Sequence, residues 1–138
     1  MSNVSYLLDT DIASYLLRGG NAALDGKIRH TPPGDVFVSV MTQAEMLYGI
    51  KPLAQLDARR EEVLWFLHLA QIVDWNSAAA EAYADIRYSL SLSAQPIGEL
   101  DMMIAAQALS MGAVLVTNNT RHYQRLCPPL RIENWTEA

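Results

Sequence analysis

Asp9, Glu45, Asp101 and the adjacent pair Asn118 and Asn119 are oxygen donors spread over most of a 138-residue chain. Oxygen donors alone favour a hard divalent ion, Mg²⁺ or Mn²⁺, which prefers near-octahedral oxygen coordination and keeps several waters. Such an ion, held by acids in a cleft and meeting a phosphate, would hydrolyse phosphodiesters. Zinc is the poorer match, because His30, His68 and His122 lack zinc-ligand spacing and Cys127 is alone. There is no Walker loop, no glycine-rich dinucleotide fingerprint and no "GxSxG".

Each donor also has a plainer use. Asp9, followed by Thr10 and Asp11, reads on its own as the cap of a helix, and Asp11 suits that helix's dipole. Glu99 and Asp101 open the apolar stretch "ELDMMIAAQALSM", where first-turn acids contribute about 0.3–1 kcal/mol each. "TNN" (117–119) is an ordinary strand-to-helix turn. Glu45 is harder to explain this way. Ala44, Met46 and Leu47 flank it, and no cation stands four residues away. Its burial would call for a compensating charge from elsewhere.

The elements around these residues alternate. "SYLLD" (5–9), "VFVSV" (36–40), "QIVDW" (71–75), "GAVLVTNN" (112–119) and "LRIENW" (130–135) read as strands. Helices are expected over "TDIASYLLR" before a glycine pair, over "AALDGKIRH", and over "VMTQAEMLYGI" with Ser39 as cap and Gly49 near its end. A long helix with Pro52 in its first turn is expected over "LAQLDARREEVLWFLHLA". Further helices fit "SAAAEAYADIRYSLSL", ended by "SAQPIG", then Glu99 to about Ser110 and a short one over "TRHYQRL". This order predicts an α/β fold with a mainly parallel sheet of about five strands, in one domain over residues 1–138. Strand ends that precede helices share one sheet edge, where open parallel sheets bind ligands. Asp9 ends the first strand, Glu45 leans back from the helix after the second, Asp101 starts a later helix, and Asn118 and Asn119 end the fourth strand. All point to one rim.

The charge of −5 excludes a protein that grips nucleic acid by blanket phosphate neutralisation, although not one whose clustered acids hold cations. No apolar run reaches the length of a membrane span, no signal-peptide pattern stands at the start, and the lone Cys127 fits a reducing compartment. A cytoplasmic protein is the expectation. "VLWFLHLA" (63–70) carries more large side chains than one core-facing stripe needs, which suits either a buried helix end or a partner surface.

Five segments, "LLDTDI" (7–12), "SVMTQAEMLYGI" (39–50), "PIGELDMMIAAQAL" (96–109), "VTNNTRHYQRL" (116–126) and "IENW" (132–135), together resemble PIN-domain ribonucleases of the VapC type over essentially the whole chain. The resemblance implies a three-layer α/β/α PIN-like domain and Mg²⁺- or Mn²⁺-dependent cleavage of RNA. It implies the toxin of a type II toxin–antitoxin pair; several such toxins cut tRNA, initiator tRNA included. Asp9, Glu45 and Asp101 become the acidic triad, with Asn119 at a fourth position that is often Asp and Thr117 and Asn118 beside it. Asp9 and Asp101 would hold the ion, Glu45 would ligate it or position water, and Asn119 would orient a water or substrate oxygen. The resemblance also implies a homodimer and a VapB-like antitoxin whose tail covers the acidic cleft.

Two departures bear on the metal. Asp11 stands where the first motif usually has Asn, and Asn119 brings a carbonyl without charge, so one firmly held ion is expected. Arg87, Arg121 and Arg125 are the basic residues nearest the motifs and are candidates either to contact RNA or to stay solvated, while Tyr123 and Trp135 are candidates to stack on a base or to pack in the core. A non-cleaving PIN-like module that binds nucleic acid or antitoxin is the alternative reading, and a hydrolase of small phosphate esters is a further one.

Overall fold

A computed structural model describes residues 4–93, 97–126 and 129–137. Cys127 and residues 94–96 of the "SAQPIG" break fall outside them. Its centre is a five-stranded sheet in the order β3-β2-β1-β4-β5, formed by β1 (Tyr6–Leu8), β2 (Val36–Ser39), β3 (Ile72–Val73), β4 (Val114–Val116) and β5 (Ile132–Glu133). Every pairing is parallel, with Leu7 opposite Phe37 and Leu115, and Leu8 opposite Val38 and Val116. The strands are shorter than the apolar runs suggest, because pairing stops once the chain turns into the following helix.

Helices α1 (Thr10–Arg18), α2 (Ala22–His30), α3 (Val40–Ile50), α4 (Ala58–Leu69), α5 (Ser77–Ser91), α6 (Glu99–Met111) and the short α7 (Thr120–Tyr123) connect the strands. Alternation along β1 and β4 decides which helices each face receives. Leu7 and Leu115 pack with Ile86, Leu90, Ile104 and Ala108 of α5 and α6. Leu8 and Val116 face the other way, onto Ile12, Leu24 and Trp135. Both central strands are covered on both faces, as parallel sheets require. Ala13, Met46 and Leu67 join α1, α3 and α4 in a smaller cluster.

Helix starts follow their caps. Asp9, Asn21, Ser39, Asp57 and Asn76 each accept a hydrogen bond from a backbone N–H in the first turn that follows. The expected long helix from Pro52 is corrected: α4 begins at Ala58, after the Asp57 carboxylate takes the Arg59 N–H at 2.9 Å. Residues 51–56 form turns. A side-chain oxygen that satisfies an orphan N–H outweighs the mere tolerance of proline in a first turn. At the end of α6, Gly112 (φ +64) takes the left-handed conformation that turns the chain into β4. Among the described residues, no helix is long and apolar enough to cross a membrane.

Candidate active site

The carboxyl ends of β1 and β4 lie side by side, tied by the Asp9 N–H to the Val116 carbonyl at 3.0 Å. This places Asp9, 4% exposed, at the mouth of the sheet. One of its oxygens caps α1 by accepting the Ile12 N–H at 2.9 Å, so the cap reading is correct. The same carboxyl also faces the Thr117 hydroxyl and feels the charges of Asp11 and Asp101. Burial pushes its pKa up to about 6, and the two neighbouring acids add to this against the bonds from Thr117 and Ile12. A helix cap alone would hold its carboxylate ionised.

Asp101, half-buried in the first turn of α6, is likewise raised, by burial first and then by Asp11; His122 and a hydrogen bond with Tyr123 oppose the shift. Tyr123 is fully buried in the core beside α6. Burial and the charges of Asp101, Asp9 and Asp11 push its phenol well above the ordinary range, so it stays protonated and donates to Asp101. Tyr123 therefore braces an acid and is not placed to stack on a base. Trp135 is also corrected as a stacking residue: it is buried against Tyr6, ring centroids 5.0 Å apart, and its indole N–H donates to Glu133.

Glu45 is half-buried, not enclosed, and forms no ion pair among the described residues. Its partner is a hydroxyl, Thr10 Oγ1, 2.6 Å from Glu45 Oε1. This draws the α3 carboxylate to the first turn of α1, next to Asp9 in the chain. Thr117 receives the Asn119 N–H at 2.9 Å, and the Asn119 side-chain amide lies 2.8 Å from His122 Nδ1. His122 acts on the charge of Asp101, so Asn119 is linked to that one acid through the ring. Asp11 is exposed but close enough to act on both buried acids.

Other expected site residues turn elsewhere. The Asn118 side-chain carbonyl accepts from Asn134 and Thr136, fastening the segment after β5. Glu99 accepts from the Tyr83 hydroxyl at 3.3 Å and pairs loosely with Arg87 at 4.0 Å, on the exposed face between α5 and α6. Arg87 also donates to Tyr83. Arg121 is exposed on α7 and Arg125 is half-buried just beyond it. Thr10, Thr42, His122 and the Tyr123 hydroxyl carried no assigned role in the sequence. The signal available was position: Thr10 follows Asp9, and Thr42 stands one turn before Glu45.

Among the described residues, no three His, Cys, Asp or Glu side chains form a ready-made metal shell. The donor set nonetheless fits a hard cation. Asp9 and Asp101 are oxygen donors made costly to ionise by burial and by a neighbouring acid, Asp11 in both cases and Asp101 also for Asp9; a divalent ion would relieve this, and water would complete its coordination. A groove of about 470 Å³ opens beside Glu45 between α1, α3 and α4, lined by Leu17, Met46, Ile50 and Val63 among others.

Residues 6–126 match the PIN domain family. The chain is 33% identical over 132 residues to ribonuclease VapC2 of Haemophilus influenzae, covering 96% of this chain and 98% of that protein. It is 35% identical over 98 residues to the tRNA(fMet)-specific endonuclease VapC of Salmonella typhimurium, covering 71% and 74% of the two chains. The fold superposes on the solved structure of VapBC-1 from nontypeable Haemophilus influenzae with a TM-score of 0.86 and 27% identity, over 97% of this chain and all of the other. With the acids gathered at the carboxyl edge of a parallel sheet and these likenesses running nearly end to end, the chain belongs to the PIN-domain family and, within it, to the VapC ribonucleases.

Proposed function

We propose that the chain is a Mg²⁺- or Mn²⁺-dependent endoribonuclease that cuts tRNA to halt translation, the toxin of a pair whose antitoxin keeps it inactive. Family membership supports the ribonuclease chemistry, and the Salmonella relative's name supports tRNA as the substrate class. The observation that carries the metal is Asp9: a buried carboxyl, beside two other acids, whose pKa is pushed up to about 6 until a cation joins it. The reading takes residues 1–138 as one domain, acting as a homodimer in the cytoplasm.

Asp9 and Asp101 hold the ion in this reading, and Glu45 ligates it or positions the attacking water. When bound, the ion supplies a water of lowered pKa and neutralises charge on the phosphate. Tyr123 keeps Asp101 aimed into the cleft. Asn119 orients a water or a substrate oxygen by hydrogen bonding. In-line attack breaks the phosphodiester, and the leaving oxygen takes its proton from solvent. A VapB-like antitoxin is supported by the likeness to VapBC-1, and the groove beside Glu45, which mixes apolar side chains with Arg18, Arg59 and Glu62, is the place for it to enter.

Purified protein incubated with tRNA tests the reading. Cleavage is expected with Mg²⁺ or Mn²⁺ and none with EDTA. Asp101→Asn should keep the fold by circular dichroism and lose about 100-fold or more in rate. Undiminished cleavage in EDTA, or an Asp101→Asn chain cutting at the wild-type rate, would overturn it.

A further inference from the structure

We infer that Thr42 is a positioning residue for Glu45, acting through the hydroxyl of Thr10; this rests on the role given to Glu45 above. Thr10 Oγ1 lies 2.6 Å from Glu45 Oε1 and 2.9 Å from Thr42 Oγ1. A hydroxyl has one proton to give, and an ionised carboxylate only accepts. Thr10 therefore donates to Glu45, and the bond between the two threonines must have Thr42 as its donor. The three groups form a one-way relay, Thr42 to Thr10 to Glu45.

Thr42 is fully buried inside α3, one turn before Glu45. A threonine within a helix commonly turns its hydroxyl back to the carbonyl four residues earlier. Here it reaches instead across to α1, to a residue 32 positions away. That choice has a consequence at the site. A half-buried glutamate has several rotamers, and the relay engages Oε1 and leaves Oε2 to an ion or a water. Thr10 also follows Asp9, whose carboxyl caps the same helix turn. The relay thus fixes the α3 acid relative to Asp9 at the end of β1, although the two stand on different elements in distant parts of the chain. Small errors in such placement are costly to a reaction that depends on aligned groups.

The test measures Mn²⁺ binding by the electron paramagnetic resonance of the free ion, without RNA, and in parallel the single-turnover cleavage of tRNA. With Glu45 as a ligand of the ion, Thr42→Val should weaken both by about 10-fold, the loss typical of a partner that orients a metal ligand; with Glu45 positioning the water, cleavage alone should fall, and in either case RNA binding is unchanged. Thr42→Ser keeps the hydroxyl and should restore wild-type behaviour. In a Glu45→Gln background Thr42→Val should add nothing, because its effect passes through that carboxylate. Thr42→Ala is measured alongside, so that if one hydroxyl-free variant fails to fold the other decides.

Thr42 variants that bind Mn²⁺ and cleave as the wild type does, while Glu45→Gln is defective, would overturn this inference and leave the ribonuclease reading intact. A Thr42→Val loss that persists in the Glu45→Gln background, or a serine variant as weak as valine, would also overturn it. A Glu45→Gln chain that behaves as wild type would remove Glu45 from the site and both readings of it. If the wild type binds Mn²⁺ but leaves tRNA uncut, the ribonuclease reading fails and the binding measurements still decide the relay.

Discussion

At neutral pH the metal-free protein holds Asp9 ionised although its folded-state pKa has risen to about 6 from an ordinary 3.8. The folded chain therefore binds this proton more tightly than the unfolded chain does. Its stabilising effect is fully present below about pH 4 and is lost as pH rises through 6, an effect of about 3 kcal/mol. In EDTA the melting temperature should fall across that window, after correction for other groups. Asp9→Asn keeps an oxygen for the α1 cap and should flatten the fall, leaving the variant more stable than wild type at pH 7 and unable to bind Mn²⁺. An unchanged pH profile in Asp9→Asn would show that Asp9 is not the strained group. At this scale the acids could be read from residue type and position, but the hydroxyls of Thr10, Thr42 and Tyr123 could not. A hydroxyl becomes informative only once the atom it faces is known.

Gln107 shows the same limit for an element. In the sequence it is a polar position on an apolar helix, yet it is 1% exposed. Its amide donates to the carbonyls of Val73 and Asp74 at 3.0 Å each, just where β3 ends, and its oxygen accepts from Ser39 at the end of β2. The α6 helix that carries Asp101 is thereby locked to the sheet edge on which the other acids stand. Gln107→Leu should cost about 2–4 kcal/mol in urea unfolding, because it strands buried carbonyls and a serine hydroxyl. A loss under 1 kcal/mol would mean that water replaces the amide. Helix ends were more legible. Asp9 and Ser39 read as caps in the sequence and both cap; the structure adds Asn21 and Asn76. The start of α4 was misread because Pro52 and Asp57 both signal a beginning, and only the backbone path chooses between them.

Over the whole molecule, Tyr48, Leu56, Trp65 and Leu69 leave large apolar surface exposed on and around α3 and α4, with Trp65 63% exposed. This answers the question raised by "VLWFLHLA": Leu67 is buried while Leu64, Trp65 and Leu69 face outward. Replacing Trp65 and Leu69 by lysine should leave the melting temperature close to wild type, since exposed positions contribute little to stability. Light scattering and capture of co-expressed antitoxin should then show one association weakened. If neither changes, this surface serves no partner. The sequence by itself determined the parallel α/β fold and the acids at strand and helix ends, because periodicity and chain order fix which edge of a parallel sheet each residue meets. The tertiary structure alone decided which of those oxygens share an environment. It sent Asn118 and Glu99 to other partners, brought Glu45 to Thr10, and buried Asp9 among like charges. Such choices depend on distances between residues far apart in the chain, which no local pattern encodes.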